Sequence, residues 1–372
     1  MAPRAAEKIK AEAVVERPHT GRSAKLFVFP MRRDFKQKTL ALYVLLIAAN
    51  LGAWVWALIA FRDYPLLLGT AVLAYSFGLR HAVDADHIAA IDNVTRKLMN
   101  AGARPTGVGF FFSLGHSTVV VVASAALALG AGLMRTRLAA FHDIGGLIGT
   151  SVSAAFLFAI AIVNMFILAG VYRAFERVRK GGGLMEGDLD ELLSARGLLG
   201  RLFRPLFRLI RASWHMYLLG FLFGLGFDTA TEIGVLGISA AQGSSGLSLS
   251  SIMVFPALFT AGMALVDTTD SILMVGAYGW AYVKPLRKLY YNLTITSVSV
   301  LVALLVGSVE ALGLIGAKLD LHGAFWSLIA KLNENFGLLG YAIVAVFLVS
   351  WAASVIFYKL KGYDRLGESP AE

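Results

Sequence analysis

The chain has 372 residues, of which 57% are hydrophobic and 16% charged, with a mean hydropathy of +0.69 and a formal net charge of +10. Soluble domains carry about 25% charged residues, so this balance excludes an ordinary soluble enzyme. Cysteine is absent, which excludes a disulfide framework and any thiolate metal site.

Residues 1–39 are polar and basic, and the first long apolar run follows them. A secretory signal peptide would place a shorter apolar region nearer the start, so 1–39 is expected to be a cytoplasmic tail. Eight apolar stretches follow, at about 40–61, 66–91, 108–133, 142–172, 214–241, 251–277, 289–317 and 336–358. Runs of this length read as membrane helices, because a helix satisfies its own backbone in lipid. The fold class expected is all-α: a polytopic protein of eight transmembrane helices, with spans one to four in 40–172 and spans five to eight in 214–358. Residues 173–213 form a loop and 359–372 a tail.

The basic residues fix an orientation. With the N-terminus inside, 28 of the 34 Lys and Arg fall in segments assigned to the cytoplasm. This is the positive-inside bias of a multi-pass protein with both termini cytoplasmic. It also explains the net charge without nucleic acid, which is not expected as a partner. The run Arg201–Tyr217 (RLFRPLFRLIRASWHMY) reads as an amphipathic interfacial helix leading into span five.

Ionisable groups inside the spans are costly and mark function. Span two carries Arg80, His81, Asp84, Asp86 and His87 within eight residues. On a regular helix His81, Asp84 and His87 share one side, whereas Asp86 falls off it unless the helix is distorted. Span three carries Ser113, His116 and Ser117 on one face, with Gly115 small enough to admit a neighbouring helix. Span five carries Asp228 and Glu232 at i, i+4, and span six carries Asp267 and Asp270. Imidazoles with carboxylates suit a borderline divalent cation such as Ni²⁺, Co²⁺ or Zn²⁺. A structural alternative pairs Asp270 with Arg80. Asn50, Asn164 and Glu310 read as single polar residues bridging helices. A faint internal echo aligns LAYSFGLRHAVDADHI from Leu73 with LGFLFGLGFDTATEIG from Leu219, at an offset of 146 that sets Asp86 opposite Glu232.

The stretch RHAVDADHIAAIDN, with its His81, Asp86 and His87 core, resembles the signature of the nickel/cobalt transporter family. FSLGHSTVV, LGFDTATEI and GMALVDTTD resemble that family's further motifs in the same order. The resemblance implies a secondary permease that takes up Ni²⁺ or Co²⁺ across the cytoplasmic membrane, with the metal as transported substrate rather than cofactor. It implies metal recognition by His81, Asp86 and His87, with His116, Asp228, Glu232, Asp267 and Asp270 supporting binding or the path. Two other readings compete: an efflux permease of the same family, and an intramembrane metal-dependent hydrolase. No Walker A motif accompanies the spans, which argues against ATP-driven pumping by this chain alone.

Overall fold

In a computed structural model of the chain, the described residues are 33–130, 135–179, 210–226, 229–281 and 285–360. Most of the tails, most of the 173–213 loop with most of its amphipathic run, and Asp228 lie outside them. The described residues are helical and contain no strand. In chain order the helices are α1 (Arg33–Ala60), α2 (Pro65–His81), α3 (Ala85–Asn100), α4 (Val108–Gly130), α5 (Arg135–Arg179), α6 (Met216–Gly224), α7 (Ala230–Ser244), α8 (Leu249–Ile252), α9 (Val254–Ala281), α10 (Pro285–Lys318), α11 (Ala324–Glu334) and α12 (Phe336–Leu360).

Six described segments are long and apolar enough to cross a membrane: those of α1, α4, α5, α8 with α9, α10 and α12. The α2/α3 pair passes the same test jointly but is bent by 49°. The stretch expected as span five is likewise two helices, α6 and α7. A membrane leaves its mark on the surface: Val44, Leu51, Val55 and Ile59 of α1 and Leu338, Leu348 and Val349 of α12 are exposed apolar side chains. Such a band is unstable in water and natural against lipid. The central helix is α9, which packs against α1, α2, α3 and α4.

Both breaks have a local cause. At each, one extended residue restarts the helix: Asp84 at φ −65°, ψ 148°, and Thr229 at φ −96°, ψ 143°. An N-cap side chain normally accepts from the N2 or N3 amide. Neither does so here, because both side chains turn toward the imidazoles described below. The breaks also match in sequence, since α3 restarts at Ala85 and α7 at Ala230, an interval that differs by one from the offset of the echo. Helix pairing follows the same pattern, with α2 resting on α9 and α6 on α4.

These pairs are held at backbone distance by glycine. A Cβ on Gly78 of α2 would sit 2.1 Å from the Phe259 carbonyl oxygen of α9, and one on Gly115 of α4 1.9 Å from that of Tyr217 in α6. Small residues allow this approach where lipid supplies no hydrophobic force between helices.

The second span runs further than the sequence suggested. Expected to leave the membrane after Ile91, the chain stays helical to Asn100 and buried through most of that length. Arg96, counted above among cytoplasmic cations, is 4% exposed inside the bundle. Its Nε donates to Asp92 (3.2 Å), its other nitrogens to Thr296 (3.0 Å) and Asn93 (3.0 Å). Asp92 also accepts from Ser299 (2.6 Å) and Tyr278, and Asn93 from Asn164 (2.6 Å). The pair is thus compensated, which a buried ion pair requires, and it ties α3 to α5, α9 and α10. Asn164 bridges helices as expected. So does Asn50, which donates to the Ala261 carbonyl (3.2 Å) and accepts from Tyr75 (3.0 Å).

Gly78→Ala should therefore lower the thermal unfolding midpoint of the detergent-solubilised protein, by an overpacking cost of about 1–3 kcal/mol. Gly69→Ala on the same helix meets nothing within 4 Å, and should leave the midpoint unchanged or raised by its better helix propensity.

Candidate metal centre

His81, His87 and His116 come together where the α2/α3 break faces α4. One ring nitrogen from each lies within 4.8 Å of the others, and all three residues are buried. Their ring centroids are 4.6, 4.7 and 4.9 Å apart. The bend does this: His81 is the last residue of α2, and His87 sits in the first turn of α3. His116 arrives from the face of α4 that Gly115 brings against α6.

Each imidazole is oriented by an acid. His81 Nδ1 lies 2.8 Å from Asp84 Oδ2, and His87 Nδ1 lies 3.3 Å from Asp267 Oδ2. A carboxylate only accepts, so Nδ1 carries the proton and Nε2 presents its lone pair. Thr229 and Thr231 hydroxyls stand 3.3 and 3.2 Å from His81 Nδ1. His116 Nε2 faces Glu232 Oε1 at 2.8 Å and His81 Nε2 at 2.9 Å. Thr229 donates to Glu232 Oε2 at 3.0 Å.

One N–H, on His116, is therefore shared between an imidazole lone pair and a carboxylate. A divalent cation in its place would satisfy every partner at once. Two nitrogens each bound at the usual 2.0–2.1 Å, at right angles, lie about 3 Å apart, close to the 2.9 Å separation of the two Nε2 atoms. Among the described residues, His87 Nε2 and His116 Nδ1 are buried without a hydrogen-bond partner. Phe112 packs edge-on to His87 (4.8 Å), and Phe259 lies 5.5 Å from His81. These rings keep the walls apolar, where unpaired polar groups are expensive and a bound cation is held strongly.

The structure thus gathers His81, Asp84, His87, His116, Glu232 and Asp267 at one point. Asp86 is half-buried and faces a neighbouring cavity with Thr229. Asp270 lies one turn along α9 from Asp267, half-buried, with Oδ2 unpaired among the described residues. Two readings need correction. The i, i+4 relation of Asp228 to Glu232 assumed an unbroken helix; α6 ends at Gly224 and α7 restarts after the extended Thr229, with Glu232 in its first turn, while Asp228 itself lies outside the described residues. Arg80 does not reach Asp270: its guanidinium lies with the Asp84 carboxylate beside Gly337, whose Cβ would fall 3.2 Å from Arg80 Nε and 3.1 Å from Asp84 Oδ1. The two threonines were visible in the sequence as TAT before Glu232 but gave no sign of pointing at an imidazole on another helix.

A family model described as "High-affinity nickel-transport protein" (NicO) matches residues 67–357. A high-affinity nickel transport protein of Cupriavidus necator is 61% identical over 329 residues, covering 88% of this chain and 94% of that protein. A hydrogenase nickel incorporation protein of Bradyrhizobium diazoefficiens is 52% identical, covering 93% and 92%. A cobalt transport protein of Rhodococcus rhodochrous is 44% identical, covering 79% and 84%. No solved structure matches. With the match running from α2 to α12 and so including both helix breaks and all three imidazoles, the chain is a multi-pass membrane protein that belongs to the family of high-affinity nickel-transport proteins.

Proposed function

We propose that this chain imports Ni²⁺, with Co²⁺ as the related substrate, across the cytoplasmic membrane, and that the metal is held by His81, His87, His116 and Glu232. The observation that carries the reading is the buried convergence of three imidazole nitrogens within 4.8 Å. Nitrogen donors with one carboxylate suit these borderline ions. Asp84 and Asp267 serve as orienting acids rather than direct ligands, since each is engaged with an Nδ1–H. Asp86, which lines the neighbouring cavity, and Asp270, one turn along α9 from Asp267, serve the path, and Asp228 is assigned to it from its place in the sequence alone.

The architecture proposed is eight crossings with both termini cytoplasmic. It counts each broken pair, α2/α3 and α6/α7, as one crossing beside the six continuous ones. The distribution of Lys and Arg supports it, with Arg96 set aside as internal. Spans two and five then run in opposite directions, and the echo between them is an inverted repeat, whose discontinuous helices put a substrate site near the midplane. An inward membrane potential supplies about 2.3 kcal/mol per charge per 100 mV, hence about 4.6 for a divalent ion. That gradient drives uptake without ATP and opposes efflux. Membership in a transporter family leaves the hydrolase alternative without support.

Uptake of ⁶³Ni by cells producing the protein, competed with unlabelled Co²⁺, tests the reading. His81→Ala and His87→Ala should each abolish accumulation while the protein still reaches the membrane; transport surviving in both would remove the assignment. Asp267→Asn keeps the shape of the side chain but weakens its hold on the imidazole, and should raise the KM for Ni²⁺ by roughly 10–100-fold, the usual cost of losing an orienting partner. Neutral imidazole is the ligand form, and protons compete with metal below the ordinary histidine value of about 6.5. The KM should therefore rise as external pH falls from 7 to 5.5, whereas a pH-independent KM would exclude imidazole ligation.

A further inference from the structure

Beside the imidazoles lies a cavity of about 420 Å³ formed by α5, α10, α11 and the start of α12, with Gly226 and Thr229 from the second helix break. Its lining changes character along its length. Ala317, Lys318, Ala330 and Glu334 are exposed at one end, while Thr150, Glu310 and Phe336 are buried deeper in. Asp86 and Thr229 line the cavity as well. Thr229 is the residue whose hydroxyl stands 3.3 Å from His81 Nδ1 and 3.0 Å from Glu232 Oε2. One side chain therefore belongs both to this cavity and to the metal centre.

Three carboxylates line this route and one ammonium, Lys318, faces them. Glu310 is the least expected of the three. It is 4% exposed on an otherwise apolar stretch of α10, and Ser153 of α5 donates to its Oε1 at 2.8 Å. It precedes Lys318 by eight residues, which at 1.5 Å per residue places it about 12 Å below the exposed end. A cleft dominated by one sign of charge between low-dielectric walls concentrates counter-ions. At the depth of Glu310, α11 is fastened to α10, where Asn333 Nδ2 donates to the Val309 carbonyl at 3.0 Å.

We infer that this cavity is the extracytoplasmic vestibule through which a hydrated divalent cation approaches the imidazoles, and that Glu310 positions the ion on the way. The inference rests on the transport reading and on the orientation proposed above, in which the α10–α12 connection faces outward. Glu310 supplies charge to an ion that still carries water, and Thr229 with Asp86 stands at the passage where imidazole nitrogen replaces that water. Glu310 is thus a positioning residue for transport rather than a ligand of the final site. The bridge between α5 and α10 through Ser153 asks Glu310 only for an acceptor, which a neutral amide also supplies.

The absence of cysteine makes this directly testable. Leu314→Cys and Ala317→Cys place single thiols in the cavity wall, and Leu305→Cys places one on the exposed outer face of the same helix. A membrane-impermeant cationic methanethiosulfonate, added outside intact cells, should label the first two, and each labelling should cut ⁶³Ni uptake at least fivefold. It should leave uptake by Leu305→Cys unchanged. Glu310→Gln should raise the KM for Ni²⁺ about tenfold with little change in kcat, and Glu310→Asp should recover part of the loss. If the parent chain transports Ni²⁺ but Leu314→Cys is labelled only from the inside, not at all, or without effect on uptake, the vestibule is overturned and the transport reading stands. If Glu310→Gln keeps the parent KM, Glu310 is a helix bridge only. A parent chain that moves no ⁶³Ni overturns the transport reading and this inference with it.

Discussion

The structure depends on imidazoles pinned by acids at a place where two helices stop and restart. Asp84 on His81 and Asp267 on His87 each fix a ring and a tautomer, and the exposed Nε2 lone pairs then have to meet inside an apolar wall. That arrangement is unfavourable on its own, because polar atoms in a dry site cost free energy unless they are paired. The single shared N–H of His116 meets the demand only in part, and a divalent cation would accept the Nε2 lone pairs that it leaves unmet. The breaks at Asp84 and Thr229 follow from the same demand. Each N-cap side chain leaves the amides of its own helix and turns to the imidazole cluster, so local helix capping is given up in favour of the site.

Around this point the bundle is organised by how closely backbones approach. Gly78 and Gly115 set α2 on α9 and α4 on α6 at contact distance, and so bring His81 and His116 to the same depth. On α3 the buried Asp92–Arg96 pair, tied to α5, α9 and α10, holds the helix whose first turn bears His87. One side of the site is thus a hydrogen-bonded polar network. The other side is the cavity lined by Asp86 and Thr229. A site placed between a braced half and an open half fits a protein that must release what it binds.

The family relation and the geometry support one another without being the same argument. The relatives are named for nickel in two cases and for cobalt in one, and the donor set found here, imidazole nitrogen with a carboxylate, does not by itself separate those ions. In the proposed site, discrimination would then rest on the spacing of the donors, two of which the α2/α3 break positions.

Much of this was legible in the chain itself. Hydropathy determined the membrane helices, because a helix in lipid must bury its own backbone and needs an apolar run of fixed length. The cost of charge in hydrocarbon singled out His81, Asp84, Asp86, His87, His116, Asp228, Glu232, Asp267 and Asp270 as candidates before any contact was known. The tertiary structure alone decided the rest. A regular wheel could not reveal that the second and fifth spans break at Asp84 and Thr229, and could only offer a distortion to explain Asp86. Nor could it reveal that Arg96 is internal, that Thr229 and Thr231 face an imidazole on another helix, or that Glu310 lines a cavity sharing a residue with the metal centre. Sequence patterns report what each helix presents to its surroundings. Which side chains meet across helices depends on backbone approach and bend angle, and these are set by the packing of the whole bundle.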